Sequence, residues 1–263
     1  MRVSVVHQRG RRRRAGYARF LWGGAEVVVT LGVVLLLLVA HQLWWTNRQA
    51  KEGAERKVHA LEREWEAEGE GEGEGEGETS AGEGGGRGVP PAGAGNDRSG
   101  SGEDRSGRGA PPRWDQAYAV LRIPRLGLRV PVAEGVGKAG VLNKGYVGHY
   151  PGTAQPGRVG NFALAGHRNT HGEPFRYLDR LRRGDRVQVE TRAAVYTYVV
   201  DRTLPRTSPG DGGTIRAIPR STVKPAYGYT APAHYLTLTT CTPQYTSTYR
   251  LVVWGKLRSV RPR

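Results

Sequence analysis

An all-β body behind one membrane-length apolar helix is the architecture the sequence predicts, and three observations predict it. Short runs rich in β-branched and aromatic residues recur through residues 114–263, separated by Gly and Pro. Only two stretches of that region, 141–147 and 175–182, read as helical, and both are brief. The stretch from Val27 to Trp45 is 19 residues long and almost wholly apolar, close to the roughly 20 that cross a bilayer. Many short strands broken at regular intervals fit a closed barrel or a sandwich.

Residues 1–21 read as a basic cytoplasmic tail: Arg2, Arg9, Arg11 to Arg14 and Arg19 precede the first acid, Glu26. Residues 22–45 read as a transmembrane anchor, with Trp22 and the pair Trp44 and Trp45 at its two ends, where interfacial aromatics sit. The basic flank predicts a single pass with the N-terminus cytoplasmic and the body outside. A cleaved signal peptide is the alternative, but no small-residue cleavage site follows the apolar run closely enough.

Residues 46–113 read as a disordered, Glu/Gly-rich linker. Residues 49–68 can extend the anchor helix a little, with Val58, Leu61 and Trp65 on one stripe. The Glu-Gly repeats and the Gly/Ser/Asp/Arg stretch that follow cannot form a core. Carboxylates alternating with glycine have no fixed geometry, so a solvated spacer is expected there rather than a metal site.

Residues 114–263 are one domain's worth of chain. Strands are expected at 117–123, 128–132, 162–165, 186–190, 195–201, 235–240 and 249–254. The region carries 23 cationic against 8 acidic residues, most of the chain's net +16. That charge suits an anionic surface such as a cell wall, or reflects nothing more than arginine-rich composition. No basic helix or aromatic platform motif points to nucleic acid. No acidic cluster in the body suggests a metal site, and no cofactor is expected.

The chemistry concentrates late in the chain. Cys241 is the only cysteine and ends a strand, Tyr-Leu-Thr-Leu-Thr-Thr-Cys. A short loop with Pro243 leads to a second strand that opens near Arg250. Paired antiparallel, the two residues stand opposite or diagonal, with Cβ atoms roughly 5–8 Å apart. A guanidinium there favours thiolate and can hold an oxyanion. A lone cysteine is often only a small buried hydrophobe, but an unpaired thiol is a liability outside the cell. His167 follows a strand in Ala-Leu-Ala-Gly-His-Arg, at a strand end where function often sits. Of the other histidines in the body, His149 competes with it, His171 reads as loop, and His234 lies seven residues before Cys241, too far along the strand to touch it.

The segments Gly148-His-Tyr-Pro-Gly-Thr-Ala154, Gly160-Asn-Phe-Ala-Leu-Ala-Gly-His-Arg168 and Leu236-Thr-Leu-Thr-Thr-Cys-Thr-Pro243, with Arg250, resemble class E sortases, the actinobacterial housekeeping type. The resemblance covers residues 117–257, and Thr242 stands where many relatives have His. It implies a closed eight-stranded barrel and a cysteine transpeptidase. Such an enzyme cuts a C-terminal sorting signal of the Leu-Pro/Ala-Xaa-Thr-Gly kind on surface proteins, between Thr and Gly, and joins the Thr carboxyl to a peptidoglycan amine. It also implies Cys241 as nucleophile, His167 as acid and base, and Arg250 with Thr240 around the oxyanion. Tyr150 is expected to line the groove for the signal's second residue, with packing on the barrel rim as the alternative.

Three other classes fit less well. An L,D-transpeptidase carries an Arg within a few residues of its cysteine, whereas Thr-Pro-Gln-Tyr follows Cys241. A papain-like hydrolase has its cysteine early, on a long helix. A tethered wall-binding module explains charge and anchor but not a solitary cysteine beside an arginine strand.

Overall fold

The computed structural model describes residues 9–71 and 112–263, without side-chain detail for 9–21, 23 and 69–71. Eight strands close into a barrel: β1 (Ala117–Ile123), β2 (Leu128–Glu134), β3 (Val147–His149), β4 (Gly160–Ala165), β5 (Arg186–Thr191), β6 (Ala194–Thr207), β7 (His234–Thr242) and β8 (Tyr249–Pro262). Their order around the barrel is β1-β2-β3-β4-β7-β8-β6-β5. Most pairs are antiparallel, but β2–β3 and β4–β7 run parallel. The three-residue β3 is the strand that periodicity does not reveal, because so short a stretch shows no alternation. The two expected helices shrink to 3-10 turns at Leu142–Lys144 and Leu178–Arg180.

The barrel interior follows from strict alternation. Leu121 and Ile123 of β1, Phe162 and Leu164 of β4, Val187 and Val189 of β5, and Leu236 and Leu238 of β7 all point inward and are almost completely buried. Between them, Asn161, Thr237 and Thr239 face outward. Trp254 packs on that outer face with Leu204, Tyr229, Tyr235 and Val252. The chain between β6 and β7 covers this patch and is pinned by the buried Asp211, whose carboxylate accepts from Thr207, Ser221 and twice from Thr222. Those donors hold the Asp211 carboxyl below its ordinary range, against the opposing effect of burial.

One helix precedes the barrel, α1 (Arg9–Gly71). Its stretch from Gly24 is long and apolar enough to cross a membrane, and the apolar residues 27–39 are exposed. The expected linker of 46–113 needs correction at its start. Residues 46–71 are helical, and Ala50, Ala54, Val58, Leu61 and Trp65 form a buried stripe at helical spacing. Val58, Leu61 and Trp65 pack against Ala117 and Val120 of β1, Ala133 of β2 and Val141. Each such burial stabilises docking by about 1.5–3 kcal/mol. Glu62 of the helix also pairs with Arg129 of β2. Docked this way, α1 covers the outward face of β1, which is why Val120 is as buried as its inward neighbour Leu121. The Glu-Gly repeats and the rest of the linker up to residue 111 lie outside the described residues.

Candidate active site

Cys241 and Arg250 are direct register partners in the antiparallel β7–β8 ladder. In such a pair both side chains leave the same face of the sheet. Cys241 is partly buried and carries a free thiol. Both recorded hydrogen bonds of Arg250 leave from Nη1, to the carbonyls of Ser247 at 2.9 Å and Tyr249 at 3.0 Å. Nε and Nη2 keep donors for an anion.

His167 arrives by a different route. β4 lies parallel to β7 with Ala165 level with Thr239. The pairing continues past the strand end: the Gly166 N–H donates to the Thr239 carbonyl at 3.1 Å, and the Thr240 hydroxyl donates to the Gly166 carbonyl at 2.8 Å. His167 follows Gly166 directly, so it leaves the end of β4 beside the stretch of β7 that runs from Thr240 into Cys241. The Gly-His loop is thereby tied to β7 one residue before Cys241, while Arg250 faces Cys241 from β8.

The His167 ring donates from Nε2 to Asn143 Oδ1 at 2.9 Å. Since that oxygen only accepts, the neutral ring keeps its lone pair on Nδ1. His171 stacks on it at 5.3 Å between centroids. Burial, then the neighbouring His171 and Lys138, hold the His167 pKa down at about 4. At neutral pH the ring is therefore a neutral acceptor in this state.

Known proteins resemble the chain in the same region. The family profile "Sortase domain" matches residues 121–258. Sortase SrtE1 of Streptomyces coelicolor is 38% identical over 243 residues, which is 90% of this chain and 57% of that protein. Sortase SrtE2 of the same organism is 32% identical over 88% of this chain and 79% of its own length. Among solved structures, sortase E1 from S. coelicolor with a tripeptide in the active site superposes with a TM-score of 0.53, at 47% identity over 57% of this chain and 92% of that one. SrtF from Corynebacterium diphtheriae gives 0.52 at 29% identity, over 61% and 94%. The chain belongs to the sortase family, class E.

In this sortase the Tyr150 hydroxyl lies 3.2 Å from Thr239 Oγ1. Thr239 already donates its proton to the Leu164 carbonyl at 3.1 Å. Tyr150 is therefore the donor in the pair, and its oxygen retains lone pairs for another partner. Thr239 is two residues before Cys241 on the same face, so Tyr150 stands beside the thiol's strand rather than only on the rim.

Thr240 turns the other way. Its hydroxyl proton is committed to Gly166, so the side chain ties β7 to the Gly-His loop and offers no donor to an oxyanion.

Sequence reasoning passed over three residues that the sortase fold brings to the site. Arg168 is buried and donates from Nη1 to the Cys241 carbonyl at 3.3 Å and to the Thr242 hydroxyl at 3.0 Å, while Nη2 pairs with Asp179 at 3.1 Å. Its place directly after His167 was the available signal. Asn143 lies 24 residues before the histidine it holds, and no local pattern marks it. His171, expected to be an ordinary loop residue, is the ring stacked on His167.

The competing histidines are structural in their contacts. His149 is fully buried, with Nδ1 bonded to Glu134 at 2.7 Å and to Tyr118 at 3.0 Å and Nε2 to Thr153 at 2.9 Å. His234 bonds the Gly157 carbonyl at the far end of β7. Among the described residues, no group of three His, Cys, Asp or Glu side chains is placed to hold a metal.

Proposed function

We propose that this sortase cysteine transpeptidase cleaves a C-terminal Leu-Ala/Pro-Xaa-Thr-Gly sorting signal between Thr and Gly and transfers the Thr acyl group to a peptidoglycan amine. One observation carries the reading: the cross-strand pair of Cys241 and Arg250, with the Gly-His loop tied to the end of the same strand.

The chemistry follows from those positions. His167, neutral with its lone pair on Nδ1, takes the Cys241 proton as the sulfur attacks the Thr carbonyl. The tetrahedral oxyanion is held by the free donors of Arg250. Collapse breaks the Thr–Gly bond, and the His167 imidazolium gives its proton to the departing Gly amine. The thioester is then attacked by the acceptor amine, His167 takes the amine's proton, and the thiol reforms. The bond energy of the peptide is kept in the thioester, so no ATP is needed.

Tyr150 makes the second residue of the signal matter. Ala there keeps a backbone N–H that Pro lacks, and the Tyr150 oxygen has lone pairs to accept it. The apolar run of 22–45 serves as a single-pass anchor, with the arginine tail cytoplasmic and the barrel outside.

Mass spectrometry of the protein incubated with both peptide types and a small amine tests this. Transfer product with a Thr-amide bond supports it, and peptides left intact or cut elsewhere overturn it.

A further inference from the structure

We propose that the segment of α1 just past the apolar run, from Asn47 to Ala54, is a positioning element for His167. In this arrangement Asn47 and Ala50 fix the two loops that clamp the imidazole. The proposal rests on the reading of His167 as the acid-base group of the transfer reaction.

His167 is held from two sides. One is the 3-10 turn at Leu142–Lys144, through Asn143. The other is the loop after the histidine, through His171 stacked on its ring. Both loops end against α1. The Gly172 N–H donates to Asn47 Oδ1 at 2.6 Å. At Gly145 a Cβ would stand only 2.8 Å from the Ala50 carbonyl oxygen, and at Gly172 it would stand 3.4 Å from Gly145 Cα and 3.5 Å from the Lys51 nitrogen. Helix, turn and loop thus meet closely, with two glycines and an alanine at the junction and the Lys51 side chain beside Gly172.

The loop has a reason to need holding. His171, Gly172 and Glu173 are three consecutive residues in the left-handed region, with φ of 52°, 83° and 51°. Two of them carry side chains, and such backbone persists only where its surroundings impose it. Asn47 binds the N–H at the centre of that run. The helix itself is fixed elsewhere, by Val58, Leu61 and Trp65 on β1 and β2. Asn47 and Val58 are eleven residues, or about 16 Å, apart along it. A rigid helix carries the position set at the barrel wall to the loops at the site.

The groups that face His167 set what relaxation would do. His171 and Lys138 lie near it on the loops, Lys51 adjoins Gly172 from the helix, and the adjacent Arg168 bonds the carbonyl of Cys241, which Arg250 faces across the β7–β8 ladder. Releasing the loop lets water in and moves His171 off the ring, so His167 should titrate higher.

The test uses the full chain in detergent micelles, with three readouts: amide exchange at Gly172, NMR titration of His167 assigned through His167→Gln, and steady-state transfer. Asn47→Ala should make the Gly172 amide exchange about tenfold faster or more, because the loop opens locally. It should raise the His167 pKa and lower kcat about tenfold, part of what a placed acid-base group contributes, with KM nearly unchanged. Asn47→Asp, which keeps an acceptor, should retain Gly172 protection. Val58→Asp, which undocks the helix remotely, should move His167 in the same direction as Asn47→Ala. The proposal is overturned if Asn47→Ala frees Gly172 yet leaves the titration and kcat of His167 unmoved, or if undocking at Val58 has no effect at the histidine. Should the wild-type chain show no transfer at all, the transpeptidase reading fails, while exchange and titration still judge the strut.

Discussion

Arg168 stands between the histidine loop and the thiol strand, with Nη1 3.3 Å from the carbonyl of Cys241 and 3.0 Å from the hydroxyl of Thr242. The residue after His167 therefore grips the backbone of the proposed nucleophile directly. Asp179 holds the other end of the same guanidinium. Arg168→Met should cost about 1–3 kcal/mol of stability, because the Cys241 carbonyl and Thr242 hydroxyl it leaves are partly buried. It should also reduce transfer more than it reduces labelling of the thiol by a small electrophile. Chemical denaturation together with iodoacetamide kinetics checks both, and an equal loss in labelling and transfer would assign Arg168 to the thiol's environment alone.

Cys241→Ala should leave no cleavage and no transfer, since the chain has no second thiol. Arg250→Ala should lower kcat/KM by about 10² or more, through loss of oxyanion binding. Arg250→Lys should recover only part of this, because a single ammonium replaces a planar fork. Peptide turnover followed by mass decides the matter, and a fully active Arg250→Ala would remove it from the mechanism.

His171→Ala should raise the pKa of His167, because His171 is one of the groups holding it down. The sign for stability follows from the same shift. His167 binds its proton less well folded, at about 4, than in the unfolded chain, near 6.5. The unfolded state thus takes up more protons between those values, and stability falls as pH drops from about 6.5 to 4. His167→Gln should flatten that part of the profile. Urea midpoints at pH 7 and pH 5 for wild type and variant provide the measurement, and an unchanged difference would contradict the low pKa.

Tyr150→Phe should narrow the preference for Leu-Ala-Xaa-Thr-Gly over Leu-Pro-Xaa-Thr-Gly, since a site that hydrogen-bonds a group rejects analogues lacking it. The variant also frees Thr239 of a donor, a loss near 1 kcal/mol in stability. Comparing kcat/KM for the two peptides in both proteins isolates the effect, and an identical ratio would return Tyr150 to packing.

The sequence by itself determined the strands and the nucleophile's neighbourhood, because both depend on local chemistry. Alternation at 117–123 and 235–240 reads directly as β, and runs of about four to eight residues need only a period of two to be seen, which the three-residue β3 is too short to show. The pairing of Cys241 with Arg250 was legible for the same reason: a short loop joins two adjacent strands, and register follows from its length. His167 was legible through its neighbours in the chain, in a Gly-His segment at a strand end.

Tertiary structure alone decided what surrounds them. The parallel pairing of β4 with β7 joins segments some 70 residues apart, with no short turn to set register, and it is this pairing that brings the Gly-His loop to the end of the Cys241 strand. Asn143, Arg168 and His171 acquire their roles only through it. Residues 46–71 show the limit most plainly. Their stripe of Ala50, Ala54, Val58, Leu61 and Trp65 is too sparse to declare whether water or protein covers it. The apolar outer face of β1 and β2, with Val120 and Ala133, supplies the answer. A helix buries such a stripe only where a matching surface exists, and that surface forms when the barrel closes.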